Sequence, residues 1–296
     1  MNTRILAVDY EYLAPESLGE ALNILAQTPQ AKILAGGTDL IVKLKTGADI
    51  NMSHMLDIKR IEGLNYIRFD KSSSTLLIGP AATLSSIEKH PLVKENYKAL
   101  AEAIGMMASV SVRNMGTMAG NICNASPVAD SVIPAICYDA TITLTNKNGF
   151  RKLPLHEFFL APGVSVIKPD ELLTEIALPL PKTGSGAAFM KKTRVKADVA
   201  KISIGAYIEL AGETVTDCKI AMAAIAATPA YLKAVGDDMA GKRITEKLIC
   251  ETAGKAAKSI KPIDDNRTTA EYRLHIAEVI TADVLREAIK RAGGEL

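Results

Sequence analysis

Cysteine and histidine are scarce in this 296-residue sequence, with four of each. The cysteines form neither a C-x-x-C nor a C-x4-C-x2-C pattern, and stand at Cys123, Cys137, Cys218 and Cys250. Iron–sulfur clusters need several thiolates brought together, usually from one short loop, so this spacing argues against a cluster held by the chain alone. The histidines form no H-x-x-x-H or H-E-x-x-H pair, so no zinc site is expected: they are His54, His90, His156 and His275.

An excess of charge of one sign is also missing, because 35 basic residues are balanced by 33 acidic ones and the net charge is +2. Nucleic acid is therefore not a predicted partner. The longest stretch of low charge, residues 214–230, is interrupted by Asp217, Lys219 and Pro229, so we expect no membrane span. The first residues lack a basic segment followed by an apolar one, so we expect no signal peptide and predict a cytoplasmic protein.

The residues that are present predict a mixture of short strands and helices. Ser17-Leu18-Gly19-Glu20 is a capping box, in which Ser17 and Glu20 are expected to bond each other's amides at the start of a helix. The apolar runs Tyr66–Phe69 and Thr75–Ile78 predict a hairpin. Beyond a linker at Pro179–Gly186, strands at 187–191, 202–210 and 219–225 precede helices at 246–259 and 272–291. Strands followed by helices predict an α+β domain.

A first glycine segment leads from a strand into a helix. It comprises Lys32, Ile33, Leu34, Ala35, Gly36, Gly37, Thr38, Asp39 and Leu40. Glycines let a backbone approach a ligand closely, and the amides at a helix start attract anions, so a pyrophosphate would suit this segment. It is neither a Walker loop nor a G-x-G-x-x-G fingerprint. Its spacing fits a plain helix-starting turn equally well, because such turns are common.

A second glycine segment, residues 112–130, interleaves small residues with polar ones. Gly116 and Gly120 allow close approach, while Thr117, Asn121 and Asp130 supply hydrogen-bonding groups. The pattern suits a backbone wrapped against a large ligand, although an irregular structural loop would also produce it. No G-x-S-x-G elbow or other acid–base set accompanies the two segments. This combination favours electron transfer, in which a cofactor supplies the chemistry and the protein binds and tunes it.

The sequence resembles the flavin subunit of the molybdenum hydroxylases, the family that includes xanthine, nicotinate and carbon monoxide dehydrogenases. Two motifs in this order carry the resemblance: Ala35-Gly36-Gly37-Thr38-Asp39-Leu40 and Arg113-Asn114-x-Gly116-Thr117-x-x-Gly120-Asn121-Ile122-x-x-Ala125-Ser126-Pro127-x-x-Asp130. It extends over essentially the whole chain, including Phe189-x-Lys191 and Tyr272-Arg273-Leu274. Ala119 replaces a frequent glycine. Thr38-Asp39 stands where carbon monoxide dehydrogenases tend to have His-Ser, which favours the xanthine or nicotinate side of the family.

The resemblance implies an α+β protein with a PCMH-type (vanillyl-alcohol-oxidase-type) FAD-binding domain over residues 1–177. That domain would consist of two α/β subdomains, about 1–55 and 56–177. A C-terminal α+β domain, with an antiparallel sheet plus helices, would follow over residues 186–296. FAD would be non-covalent, because neither motif carries a histidine or cysteine in a position resembling a covalent link, with Cys123 the thiol to check.

The resemblance also assigns roles within the FAD site. The first glycine segment would bind the pyrophosphate through backbone amides. Thr117 and Asn121 would contact the phosphate and ribityl region, and Asp130 would bind the adenosine half. Gly116 and Gly120 would also belong to the cofactor-binding set. Met107 and Leu173 would lie along the cofactor, and Lys191 would approach the flavin from the C-terminal domain.

The implied partners are a molybdopterin-binding subunit and a ferredoxin-like [2Fe–2S] subunit. Electrons would pass from the molybdenum site through the clusters to FAD, and then to NAD(P)+ or another acceptor. The substrate of such a complex would be an N-heteroaromatic compound such as xanthine, another purine or nicotinate. Two alternatives are a free-standing FAD oxidase of the same fold and a binding module that has lost FAD. The oxidase would need a catalytic Tyr, His or Arg set over the flavin, and none is visible.

Overall fold

The computed structural model describes residues 9–46, 51–195 and 197–296. Three larger β-sheets follow one another along this part of the chain, a parallel sheet of three strands and antiparallel sheets of five and four strands. Helices cover each of them, which confirms the predicted α+β architecture with an antiparallel C-terminal sheet. No helix among the described residues is both long and apolar enough to cross a bilayer.

The first sheet has the parallel order β1–β3–β2 and is connected by two helices. Its elements are β1 (Glu11–Leu13), α1 (Leu18–Gln27), β2 (Ala31–Leu34), α2 (Leu40–Thr46) and β3 (His54–Asp57). The subdomain boundary that the sequence predicts near residue 55 falls inside β3. β3 is the central strand on which both neighbours pair, and the division into two subdomains stays a prediction. The sequence also predicts that Gly47 ends α2, and this position lies outside the described residues.

One of the two hydrogen bonds of the predicted capping box is present at the start of α1. The Ser17 hydroxyl accepts a hydrogen bond from the Glu20 amide at 3.2 Å. The Glu20 carboxylate, however, accepts from the amide of Glu16 at 3.1 Å rather than from that of Ser17. The reciprocal bond is therefore made one residue earlier, and both bonds still satisfy amides at the helix start.

The second sheet is antiparallel, in the order β4–β5–β10–β6–β7. The predicted hairpin is confirmed as β4 (Ile67–Asp70) and β5 (Thr75–Ile78). The remaining strands are β6 (Thr141–Asn146), β7 (Gly149–Pro154) and β10 (Leu172–Pro179), with the short pair β8 (Phe159–Ala161) and β9 (Val164–Ser165) beside them. Between β5 and β6 come six helices: α3 (Leu84–Lys89), α4 (Pro91–Asn96), α5 (Lys98–Gly105), α6 (Val110–Met115), α7 (Met118–Cys123) and α8 (Val132–Cys137).

The third sheet has the order β11–β12–β13–β14 and is covered on both faces. Its elements and helices are β11 (Ser185–Lys192), β12 (Ile202–Ala211), β13 (Thr214–Ala223), β14 (Ala230–Tyr231), α9 (Lys233–Asp237), α10 (Glu246–Lys258) and α11 (Ala270–Arg291). Residues 202–209 of β12 are all buried. One face of the sheet packs on the core of the second sheet's helices, and the other packs on α10 and α11.

Among the described residues, a shared core and three ion pairs fix the C-terminal sheet to the second sheet's helices. Phe189 and Tyr207 belong to the same hydrophobic cluster as residues of α5 and α8. The ion pairs that cross the junction are Glu102–Arg291 at 2.7 Å, Asp139–Lys219 at 2.6 Å and Asp130–Lys191 at 2.7 Å. The predicted linker overlaps the end of β10 and the start of β11, and it joins two units that are packed together.

The guanidinium of Arg273 is buried, and its hydrogen bonds hold the loop before α11 in place. It donates to the carbonyls of Lys201 (3.1 Å) and Ile263 (2.7 Å) and to the Asp265 carboxylate (2.8 Å). Burial by itself would raise the pKa of Asp265. Hydrogen bonds from Arg273 and from the amides of Arg267 and Thr268 outweigh it and lower that pKa from 3.8 to about 2.

Because the folded-state pKa of Asp265 lies below its unfolded value, the stabilisation is fully present above pH 3.8 and is lost as pH falls towards 2. We therefore expect Asp265→Asn to lower the free energy of unfolding at neutral pH, and to lower it less as the pH falls below 3.8. Urea unfolding followed by circular dichroism at a series of pH values measures this difference. A difference that stayed constant across the acidic range would contradict the role of the ion pair.

Candidate functional site

The first glycine segment leaves the parallel sheet at the carboxyl ends of β2 and β3. Open α/β sheets bind ligands in the crevice beyond these ends. Gly37 adopts a φ of +71°, which a residue with a side chain rarely takes. Within the part of the chain that the structure describes, the amides of residues 36–39 donate no hydrogen bond. A run of free amides at this edge of a sheet provides donors for an anionic group.

Lys59 and Asp57 fix the start of this loop. The Lys59 ammonium donates to the Ala35 carbonyl at 3.2 Å and lies 2.7 Å from the Asp57 carboxylate. The Tyr12 hydroxyl donates to the same carboxylate at 2.6 Å. Burial raises the pKa of Asp57, but the bonds from Lys59 and Tyr12 lower it overall. Sequence reasoning missed these residues, because only the fold brings Lys59 to the glycine segment.

The two glycine segments are in direct contact. A Cβ atom added to Gly36 would lie 2.2 Å from the Met115 carbonyl oxygen and 2.6 Å from the Gly116 Cα. A Cβ on Gly116 would lie 3.4 Å from the Thr38 hydroxyl. The structure thus brings the two predicted cofactor-binding segments together into one surface, with backbone against backbone.

The second glycine segment is more regular than a loop, because it contains α6 and α7. The Thr117 hydroxyl accepts from the Gly120 amide at 2.9 Å and caps α7, while the Asn121 side-chain oxygen accepts from the Ser131 hydroxyl at 2.9 Å. Both predicted ligands therefore have partners within the protein, and they shape the segment. Their contacts with a cofactor stay predictions. Cys123, the last residue of α7, is exposed.

A strained turn between α5 and α6 lies beside this surface and carries Met107. Ala108 has a φ of +43°, a conformation that costs a residue with a side chain roughly 1–3 kcal/mol. The Arg113 guanidinium donates to the carbonyls of Met107 (2.8 Å) and Ala108 (3.2 Å). It is itself held by the Glu88 carboxylate at 3.1 Å. Arg113 belongs to the second motif, but its function in holding this turn could not be read from the sequence.

Replacing Arg113 with methionine is expected to release the turn and to weaken binding of the predicted cofactor, FAD, about tenfold. The change removes hydrogen bonds from a charged donor, each worth about 1.5–3 kcal/mol, and about 1.4 kcal/mol corresponds to a factor of ten. Quenching of flavin fluorescence during titration of the apoprotein measures the affinity. Arg68→Met is the matched control, because Arg68 is exposed and its carboxylate partner, Glu175, lies 3.9 Å away. Equal affinities in both variants would exclude this positioning role.

Asp130 and Lys191 lie together, 2.7 Å apart, although the sequence places them at opposite halves of FAD. Their side chains are 6% and 3% exposed. Burial raises the pKa of Asp130, and the charge of Lys191 opposes that effect. The structure thus brings together two positions that the resemblance assigns to different parts of FAD, and both assignments stay predictions.

The other predicted positions fall into three groups by exposure. Leu173 is buried in the hydrophobic core, and Lys32 and Asp39 are exposed. The rest of the first glycine segment is half-buried: Ile33, Leu34, Ala35, Gly36, Gly37, Thr38 and Leu40. Across the described ranges, no group of three or more His, Cys, Asp or Glu side chains is arranged to hold a metal ion.

Comparison with known proteins gives matches over nearly the whole chain. Residues 8–181 match the family described as the FAD binding domain in molybdopterin dehydrogenase, and residues 187–288 match the CO dehydrogenase flavoprotein C-terminal domain. The chain is 30% identical to the xanthine dehydrogenase FAD-binding subunit of Escherichia coli O157:H7, over 96% of this chain and 98% of that protein.

Carbon monoxide dehydrogenase of Hydrogenophaga pseudoflava is similar to the same degree. Its medium chain is 31% identical, over 95% of this chain and 98% of its own length. A solved structure of that enzyme lacking the Mo-pyranopterin moiety superposes with a TM-score of 0.92, at 31% identity, over 97% of this chain and 99% of that one. Overall identity thus does not separate the xanthine from the carbon monoxide side of the family.

Proposed function

Because the chain belongs to the family of FAD-binding subunits of the molybdenum hydroxylases, we propose that it is the electron-transfer flavoprotein of such a complex. The observation that carries this proposal is the contact between the two glycine segments. Gly36 lies against the Met115–Gly116 backbone, and the free amides of the first segment stand beside it. The arrangement suits a pyrophosphate bound by backbone donors, as a dinucleotide cofactor requires.

The chain's residues bind and orient FAD, which supplies the capacity to take up and release electrons. The first glycine segment holds the pyrophosphate, and Gly116 and Gly120 allow the neighbouring backbone to come close. Lys59 and Arg113 act behind this surface, since each fixes a carbonyl of the loops that form it. The FAD-binding domain spans residues 1–177 in this proposal, with its internal boundary after β3, and the C-terminal domain spans 186–296.

The partners in this proposal are a [2Fe–2S] ferredoxin-like subunit and a molybdopterin-binding subunit. The cysteine spacing provides no cluster ligands in this chain, so the clusters that reduce the flavin belong to the partner. NAD(P)+ or another acceptor then takes the electrons. We place the complex with the xanthine, purine or nicotinate enzymes, on the strength of Thr38-Asp39 in the first motif.

Electron transfer from the flavin to NAD(P)+ can be tested in reverse, by anaerobic mixing of the FAD-loaded chain with NADH or NADPH. We expect one of the two nucleotides to bleach the visible absorbance of the flavin, while isolated partner subunits show no such change. Absence of bleaching by either would show that the acceptor is not a nicotinamide. Turnover of a small substrate with oxygen by the isolated chain would instead favour the free-standing oxidase. Dependence on both partner subunits would exclude that alternative.

A further inference from the structure

Three buried tyrosines form a row in the core that the second sheet's helices share with the C-terminal sheet. The rings of Tyr97 and Tyr138 meet edge to face with their centroids 5.2 Å apart, and Tyr138 meets Tyr207 in the same way at 6.0 Å. Each of the three is at most 5% exposed. Apolar rings would fill this core at a lower cost, because a buried hydroxyl group has to find a hydrogen-bond partner. The three hydroxyl groups therefore call for an explanation beyond packing.

The hydroxyl groups of the tyrosine row differ in what they contact. The Tyr97 hydroxyl donates to the Leu178 carbonyl at 3.0 Å, whereas the Tyr207 hydroxyl donates to the Glu209 carboxylate at 2.8 Å. Within the described residues, no carboxylate bonds the hydroxyl of Tyr97 or of Tyr138. Burial raises the pKa of Tyr207 to about 12, so its hydroxyl carries its proton at neutral pH. Of the three tyrosines, only Tyr207 thus has a base beside it that can accept this proton.

Beyond Tyr207 the row reaches the surface of the protein. The Glu209 carboxylate lies 3.0 Å from the ammonium of Lys182, whose side chain is 73% exposed. The Lys219 ammonium lies 4.7 Å from the centre of the Tyr207 ring, and its charge by itself opposes the loss of an electron from that ring. Two aspartates pair with the same ammonium at 2.6 and 2.8 Å and offset its charge.

The middle of the row is connected to the second glycine segment by a helix. Asp130 is the last residue of that segment, and α8 lies between it and Tyr138. Eight positions separate these two residues, which corresponds to about 12 Å at the rise of a helix. Electron transfer between redox groups in proteins crosses gaps of this size. Tyr138 is therefore within reach of a cofactor on the surface formed by the two glycine segments.

We propose that Tyr138 and Tyr207 relay one-electron oxidation away from the flavin, with Tyr207 as the end point. This inference rests on the FAD-binding function proposed above. Tyr138 loses one electron to a strongly oxidising flavin, such as one excited by light. Tyr207 then gives an electron to Tyr138, and the hydroxyl proton of Tyr207 passes to the Glu209 carboxylate. The electron lost ends on the flavin, Tyr138 is restored, and the products in the protein are a neutral Tyr207 radical and protonated Glu209.

The proton transfer keeps the oxidation on Tyr207, because Tyr138 has no base that could stabilise a radical in the same way. A reductant in solution can restore Tyr207 from the exposed end of the row. The relay thus protects the residues around the cofactor from one-electron oxidation.

Illumination of the oxygen-free, FAD-loaded chain during freezing, followed by electron paramagnetic resonance, tests the relay. Protein made with ring-deuterated tyrosine identifies a tyrosyl signal by the narrowing of its lines. We expect this signal in the wild type and its loss in Tyr207→Phe, which keeps the ring and removes the hydroxyl. Glu209→Gln should abolish the signal as well, because Tyr207 then has no base. Tyr138→Phe should reduce it, because the electron then has to cross the whole gap in one step.

Tyr66→Phe is the matched control. The Tyr66 hydroxyl also donates to a carboxylate, that of Glu175 at 3.1 Å, and the Arg68 guanidinium lies 5.0 Å from the centre of the Tyr66 ring. In the part of the chain that the structure describes, no aromatic ring packs against Tyr66, so this variant should keep the wild-type signal. An unchanged signal in Tyr207→Phe, or an FAD-loaded wild type without a tyrosyl signal, would overturn the inference. A chain whose absorbance shows no bound FAD before illumination would instead refute the proposed function.

Discussion

Purified Gly36→Ala protein is expected to contain no FAD. The added Cβ would lie 2.2 Å from the Met115 carbonyl oxygen, closer than real Cβ contacts come, and both neighbours are backbone. The two glycine segments would have to move apart, which separates the free amides from the second half of the surface. Overpacking of this kind typically costs about 1–3 kcal/mol in stability. The loss in the free energy of flavin binding should be larger, because the binding surface is formed by the contact between the two glycine segments.

The matched control is Gly19→Ala, because a Cβ at Gly19 in α1 would meet nothing within 4 Å. Alanine is favoured over glycine in a helix by roughly 1 kcal/mol, so this variant should be slightly more stable and keep its flavin. The flavin content of each purified protein is measured by absorbance, and its thermal unfolding by circular dichroism. Wild-type flavin content in Gly36→Ala would show that the close contact of the segments is not needed for binding.

Removal of the Asp130 carboxylate alone is expected to destabilise the apoprotein by about 3–5 kcal/mol, because the buried Lys191 ammonium is left without its counter-ion. Asp130→Ala makes this change. The Asp130→Asn/Lys191→Met double variant should lose much less, since neither side chain is then charged. Urea unfolding of the cofactor-free proteins measures both free energies. If the double variant were as unstable as Asp130→Ala, the ion pair would not be what links the two units at this point.

The sequence predicted best those features that are set by local chemistry. The sequence predicts a strand, two glycines and then a helix, and the structure has β2, Gly36 and Gly37, and α2 in that order. The predicted hairpin of β4 and β5 is confirmed. Glycine at a strand end and alternating apolar runs determine such features within a few residues. The resemblance added the cofactor, which no pattern of residues in this chain could name.

Features that depend on tertiary contact were missed. Lys59 reaches Ala35 only because β3 lies beside β2, and Arg113 holds a turn whose strain at Ala108 has no signature in the sequence. The helices α6 and α7 have six residues each, too short for a clear helical periodicity among their glycines and small residues. Asp130 and Lys191 are 61 positions apart, so only the fold reveals that their side chains form an ion pair.

The central claim is that this chain binds FAD non-covalently on the surface formed by its two glycine segments. The most direct test is the absorbance spectrum of the purified chain, followed by heat denaturation and analysis of the supernatant. We expect a yellow protein with one FAD for each chain, all of it released on denaturation. A colourless protein that takes up no flavin when incubated with FAD would contradict the claim, and flavin that stayed with the precipitate would contradict its non-covalent character.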